Sequence, residues 1–268
     1  MQGNSTGGSA RNSSWRELLA APAPGSHIVQ IYDRGDFLAA AVAHFAGEGL
    51  QRGEAVLLTG TKEHTGEIHR LLASRGVDAE AATRDGRLFV AEVLSGLDFL
   101  LSDGVLDSVR FDLMFTERMQ RLRADPRFAG VRWWGETVNA LYYRGNREAA
   151  LAAERLTTRA AGKHGVTVLC SFVYDKFEPH GYNGILKELC ACHSHAIPAE
   201  DYVRHRLAVN RAIAEVIGEI RGSRLQSLST WRGPGCELPS SQAMLFWLRE
   251  HMPEEFPEVL SRARAFAQ

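Results

Sequence analysis

Residues 34–64, RGDFLAAAVAHFAGEGLQRGEAVLLTGTKEH, decide the fold class. Asp36 is placed to cap a helix that carries Leu38, Ala41, Val42 and Phe45 on one face and ends near Gly53. Ala55–Thr59 follows as an unbroken apolar run, the pattern of a parallel strand buried on both faces. The same alternation extends in both directions. His27–Tyr32 (HIVQIY) reads as the strand before it, and a helix with Ile68, Leu71 and Leu72 inward, closed by Gly76, as the next element. Leu88–Val90 is a strand and Val109–Arg123 a helix with Phe111, Met114, Phe115 and Leu122 inward. Val131–Trp134 is a strand, Arg147–Ala161 an alanine-rich helix closed by Gly162, and Val166–Val173 the strongest strand. Five strands joined by helices predict an α/β fold, a three-layer sandwich around a mainly parallel sheet.

The character changes after Pro198. Asp201–Ile220 reads as one long amphipathic helix with Leu207, Ile213, Val216, Ile217 and Ile220 as its stripe. Gly222–Pro239 is loop-like and contains Trp231, Gly233, Pro234 and Gly235. Ser240–Phe266 is helical, interrupted at Pro253 and Pro257, and carries Leu245, Phe246, Leu248 and Met252. At the other end, Met1 to about Ser13 reads as a disordered tail, and Trp15, Leu18 and Leu19 as a short docking helix before Pro22 and Pro24. The resulting division is a tail over 1–26, an α/β domain over 27–200 and a helical C-terminal extension over 201–268.

Composition limits the function classes. The 268 residues carry 31 basic and 32 acidic side chains, so no global field favours nucleic acid or an acidic membrane. No apolar run approaches the roughly 20 residues that span a bilayer, and the first 26 residues lack the pattern of a signal peptide. Cys170, Cys190, Cys192 and Cys236 form no evident disulfide framework, which points to a reducing cytoplasm. The expected partners are a small ligand or a regulatory protein, without direct nucleic acid or membrane contact, and the C-terminal helices offer a homodimer contact.

The stretch 34–64 resembles the start of a KaiC/RecA-type ATPase domain. Gly49, Leu50, Gly53 and Glu54 match its Gly-Leu-x-x-Gly-Glu turn, and Glu63 and His64 stand where its acid pair lies. The phosphate cradle does not match. Tyr32-Asp33-Arg34-Gly35-Asp36-Phe37 has one glycine, no lysine and no metal-binding hydroxyl, and its carboxylates repel a triphosphate. Gly60 and Gly66 suggest a second loop, but the spacing is wrong and Glu67 replaces the lysine. ATP hydrolysis, and enzymatic activity generally, is therefore not expected.

Taken together, the chain is similar over His27–Tyr202 to the MEDS domain, the sensory domain of methanogen and methylotroph regulators. His27 and Tyr32, the glycine-rich turn, Thr61-Lys62-Glu63-His64, Gly135-Glu136, Leu169-Cys170 and Cys192-His193-Ser194-His195 carry the resemblance. It implies a RecA-like sensory module that binds a small ligand or relays a partner's signal. No helix-turn-helix or kinase motif accompanies it.

In open parallel sheets ligands bind beyond the carboxyl ends of the strands. That rule nominates Tyr32, His64, Glu136 and Tyr174 as ligand-binding residues, with His27 a weaker fit because it precedes its strand. The alternative is that Glu136 caps the helix after it and the others satisfy local hydrogen bonds. Trp133 and Trp134 point to opposite faces of their strand, so at least one is core. Cys170 reads as a small apolar filler rather than a reactive thiol. Cys190, Cys192, His193 and His195 are the one metal-like cluster, and thiolate with imidazole suits Zn²⁺. Their spacing is tighter than usual for zinc, so a redox thiol pair and an incidental helix end stand beside it, and no cofactor is predicted outright. A protein-interaction module centred on Leu245, Phe246 and Leu248, or a residual metal- or nucleotide-dependent enzyme, are the alternative functions.

Overall fold

The computed structural model describes residues 15–175, 177–179, 182, 185–197, 202–228, 236 and 240–268. The expected tail, Met1 to about Ser13, lies outside them, as do residues 229–235 and 237–239 of the stretch Gly222–Pro239 expected to be loop-like. The first half runs α1 (Trp15–Ala20), β1 (His27–Tyr32), α2 (Gly35–Gln51), β2 (Ala55–Gly60), α3 (Lys62–Ser74), α4 (Ala79–Arg84), β3 (Leu88–Glu92) and α5 (Val93–Leu100). A two-residue hairpin, β4 (Leu101–Ser102) and β5 (Val105–Leu106), precedes α6 (Ser108–Phe111), a π-helical turn (Asp112–Thr116) and α7 (Glu117–Ala124). Then come β6 (Val131–Gly135), α8 (Thr137–Tyr143), α9 (Arg147–His164), β7 (Thr167–Val173), α10 (Ile185–Cys192) and β8 (His195–Ile197). Four helices close the described chain: α11 (Tyr202–Ile217), α12 (Glu219–Leu228), α13 (Ser240–His251) and α14 (Phe256–Ala267).

Six strands form one parallel sheet in the order β3-β2-β6-β7-β1-β8. Successive residues of each strand feed opposite layers. Ile28, Tyr32, Val56, Leu58, Trp134 and Leu169 pack with α1 to α4. Val29, Ile31, Leu57, Trp133, Val168, Cys170 and Phe172 pack with α5 to α11, α13 and α14. The fold is thus the expected α/β sandwich with further C-terminal helices, and both tryptophans are core, one on each face.

Several local expectations are corrected. Asp36 lies in the first turn of α2 rather than at its cap, which is Arg34, and the two pair at the surface. The 109–123 helix is broken by the π-helical turn, where Phe115 stacks on Trp133 at 4.7 Å. Helix α9 runs through Gly162 and ends at the left-handed Gly165. The 201–220 helix breaks at Gly218, and α12 extends helix into the stretch read as loop. Its stripe is also rotated: Leu207 and Ile220 are 60% and 76% exposed, while His205, Ala208, Val209, Ala212 and Ile213 are buried.

The Gly-Leu-x-x-Gly-Glu turn acquires a structural role. Arg132 on β6 is buried, and its Nε donates to Glu54 just before β2. Its Nη1 donates to the carbonyls of Leu19 (2.7 Å) and Phe45 (3.0 Å), and its Nη2 to that of Ala20 (3.0 Å). A Cβ on Gly49 would stand 2.6 Å from Arg132 Cδ. The turn therefore houses a buried cation that fastens α1 to the sheet.

Candidate functional site

The sheet presents its chemistry at the carboxyl ends of β1, β2 and β6. Connections from β1 and β2 cross one face, and those from β3, β6 and β7 cross the other. The chain leaving β2 therefore diverges from the chain leaving its neighbour β6, the topology that in open parallel sheets forms a crevice between strand ends. Such switch points are where open parallel sheets bind ligands.

Glu136 stands at this switch point. It follows β6 at the cap position of α8 but makes no side-chain cap bond there. Its carboxylate turns instead toward the β2–α3 junction. Oε2 accepts from the Thr61 backbone N–H at 3.0 Å, and Oε1 pairs with His64 Nδ1 at 2.7 Å. The Tyr32 hydroxyl lies near enough to feel the Glu136 charge. The local sequence explains the reach. Thr61 Oγ1 caps α3 by accepting from the His64 N–H, which puts His64 in the first turn beside β6. Gly60 leaves room: a Cβ there would collide with the Trp134 ring and lie 2.9 Å from Glu136 Oε2.

Electrostatics follow from this packing. Glu136 is 2% exposed, whereas the His64 side chain is 26% exposed and forms the open side of the group. The hydrogen bond to Glu136 raises the His64 pKa above its ordinary 6.5, against an opposing effect of burial. Burial, then the Glu136 charge, pushes the Tyr32 phenol well above its usual range. Beneath the site a buried polar chain runs from Trp134 Nε1 to Ser171 Oγ (2.9 Å), on to Gln30 Oε1 (3.1 Å), and from Gln30 Nε2 to the Phe37 carbonyl (3.1 Å). The switch point is thereby linked to the first turn of α2.

Of the five ligand-binding candidates, the structure gathers Tyr32, His64 and Glu136. Tyr174 adjoins them only by backbone, donating its N–H to the Tyr32 carbonyl at 2.7 Å, while its ring packs in the opposite layer. His27 lies at the far end of β1.

The four metal candidates do not converge. Cys190 is hydrogen-bonded to Cys236, Cys192 contributes its carbonyl to His27, and His195 is exposed with Nδ1 against Ser194 Oγ. His193 instead joins His27, Glu154 and Cys170 in a buried group whose ligand atoms all lie within 4.8 Å of one another. Glu154 is absent from the sequence-based candidates because an acid on an alanine-rich helix reads as solvated. The available signal was its spacing: it falls among Ala150, Ala153, Thr157 and Ala161 on the buried stripe of α9. The interaction surface expected at Leu245, Phe246 and Leu248 is not a surface, since these residues are 0%, 3% and 0% exposed. Among the described residues no helix is long and apolar enough to cross a membrane.

Comparison with family models matches residues 26–194 to MEDS, the methanogen/methylotroph, DcmR sensory domain. Comparison with curated proteins gives no match.

Proposed function

The chain belongs to the MEDS family of sensory domains, and on that premise we propose that it is a regulatory module receiving a small polar ligand at the Tyr32–His64–Glu136 site. The observation that carries this reading is the convergence of three separate strand ends on one buried carboxylate at the switch point of the sheet. A ligand meets the partly exposed His64 ring first, and competing for the Glu136 bonds transmits its arrival to Thr61 and α3. The Trp134–Ser171–Gln30 chain offers a second path, to α2.

The reading includes no ATP hydrolysis. The segment that a phosphate loop would occupy holds a surface Arg34–Asp36 pair, and Phe37 is buried against the Trp15 ring at 5.6 Å. Thermal-shift screening of the full chain with small hydrogen-bonding compounds tests the proposal. It is supported if a compound stabilises the wild type and leaves Glu136→Gln and His64→Gln unmoved. A screen without hits, or equal shifts in the variants, sinks it.

A second reading, output through a protein contact, is favoured by the exposure of Val203 and Leu207 on α11 beside Phe266 of α14. A homodimer using this face would dissociate in Leu207→Lys, as read by sedimentation.

A further inference from the structure

We propose that His27, Glu154, Cys170 and His193 form a closed binding site for a divalent transition metal, best suited to Zn²⁺. These residues come from the start of β1, the middle of α9, β7 and the turn after α10. His27 Nε2 lies 3.1 Å from Cys170 Sγ and 3.3 Å from Glu154 Oε2. Glu154 Oε2 lies 3.4 Å from His193 Nε2 and 3.9 Å from Cys170 Sγ. A tetrahedral zinc ion with ordinary bond lengths to nitrogen, oxygen and sulfur has ligand–ligand edges of about 3.3 to 3.6 Å. Four of the six edges are therefore already near that size.

Both imidazoles are oriented for the task. His27 Nδ1 sits 3.1 Å from the Cys192 carbonyl and 3.0 Å from Thr158 Oγ1, so its other nitrogen faces Cys170 and Glu154. His193 Nδ1 donates to the Leu189 carbonyl at 2.6 Å. Its Nε2 then carries the lone pair, is fully buried and has no hydrogen-bond partner among the described residues. Outer hydrogen bonds of this kind fix the tautomer of metal-binding histidines. An unsatisfied buried nitrogen aimed at a carboxyl and a thiol needs an explanation, and a cation supplies one.

The charge balance agrees. Burial pushes the Glu154 carboxyl up to about 8, raises the Cys170 thiol, lowers His27 and pushes His193 down to about 4. A divalent ion entering this neutral group displaces one proton from Glu154 and one from Cys170 to solvent, and the loaded site is again neutral. All four residues are buried, which leaves no open coordination position and marks the site as structural. Its placement gives it a purpose. His27 and His193 are the second and second-last residues of the matched segment 26–194, so one ion ties its ends together through α9 and β7.

Chelator-stripped full-length protein titrated with Zn²⁺ or Co²⁺ tests the assignment. The expected result is about one ion per chain, a raised melting temperature and, for Co²⁺, tetrahedral bands with one thiolate charge-transfer band. Cys170→Ser removes that band, and Thr158→Val weakens binding by about tenfold. Cys190→Ser, Cys192→Ser and His195→Ala leave binding unchanged. Should Cys170→Ser not fold, the wild-type Co²⁺ spectrum decides alone. No retained metal, a spectrum without thiolate character, or loss of metal in Cys192→Ser or His195→Ala overturns the proposal.

Discussion

Glu136 Oε1 and His64 Nδ1 stand 2.7 Å apart across the ends of β6 and β2, the acid buried and the base open to solvent on one side. The pair raises the folded-state pKa of His64 above 6.5 through the Glu136 hydrogen bond and the charges of Glu136 and Glu63. A group held higher when folded contributes stability that is complete below its unfolded value and is lost as pH climbs through the folded value. Wild type is therefore expected to lose urea resistance relative to His64→Gln in the pH window above about 6.5. A difference between the two that stays constant across this window contradicts the pairing, as does an unraised His64 resonance titration.

Gly60 and Gly66 flank this pair, and their alanine variants should diverge. A methyl group at Gly60 meets the Trp134 ring and Glu136, whereas at Gly66 it meets nothing among the described residues within 4 Å. Gly60→Ala is expected to cost about 1–3 kcal/mol by overpacking. Gly66→Ala, inside α3, is expected to add up to about 1 kcal/mol through helix propensity. Chemical denaturation of both variants decides; equal effects would mean that Gly60 is not a spacing residue.

The Arg132–Glu54 pair predicts non-additivity. Arg132 is the buried partner, with side-chain exposure of 2% against 19% for Glu54. Removing one partner leaves an uncompensated charge or orphaned carbonyls, so Glu54→Leu is expected to cost about 3 kcal/mol. Adding Arg132→Met to it should cost less than the sum of the single changes. Hydrogen exchange of α1 should quicken in Arg132→Met, because its carbonyl contacts at Leu19 and Ala20 are lost. Strict additivity with unchanged exchange would show that the guanidinium does not fasten α1.

Gln30 is fully buried and bridges Ser171 to the Phe37 carbonyl. Gln30→Leu removes the acceptor of the Ser171 hydroxyl and the side-chain donor to the Phe37 carbonyl, and is expected to cost about 1–3 kcal/mol. If the chain from Trp134 to α2 carries the ligand signal, the variant also binds ligand without the accompanying exchange protection in α2. Full protection in Gln30→Leu would assign transmission to α3 alone.

The fold was legible where burial left an unbroken apolar run. β1 is buried along its length and β2 at every position but Thr59, so HIVQIY and AVLLT mark them within a residue. β8 was not, because His195–Ile197 is three residues long and pairs on one side only. Helix faces were harder still: Leu207 looks like core and is exposed, while His205 looks exposed and is buried. Strand-end logic nominated Tyr32, His64 and Glu136, which the structure brings together, yet it left open whether Glu136 meets a ligand or caps the helix after it; the carboxylate reaches the β2–α3 junction and makes no cap bond. That choice depends on the close approach of β2 permitted by Gly60. Glu154 and His27 were separated by the sequence because their proximity arises from helix α9 lying across the start of β1.

One practical consequence concerns how this domain can be excised. The family match stops at residue 194, immediately before β8, and β8 is the strand that covers the outer side of β1. A fragment ended there would bare the hydrogen-bonding groups of Ile28 to Gln30, on a strand buried at every position. Exposed apolar strands of that kind template self-association. Such a fragment is expected to precipitate or oligomerise, and a soluble one needs at least residues 195–197.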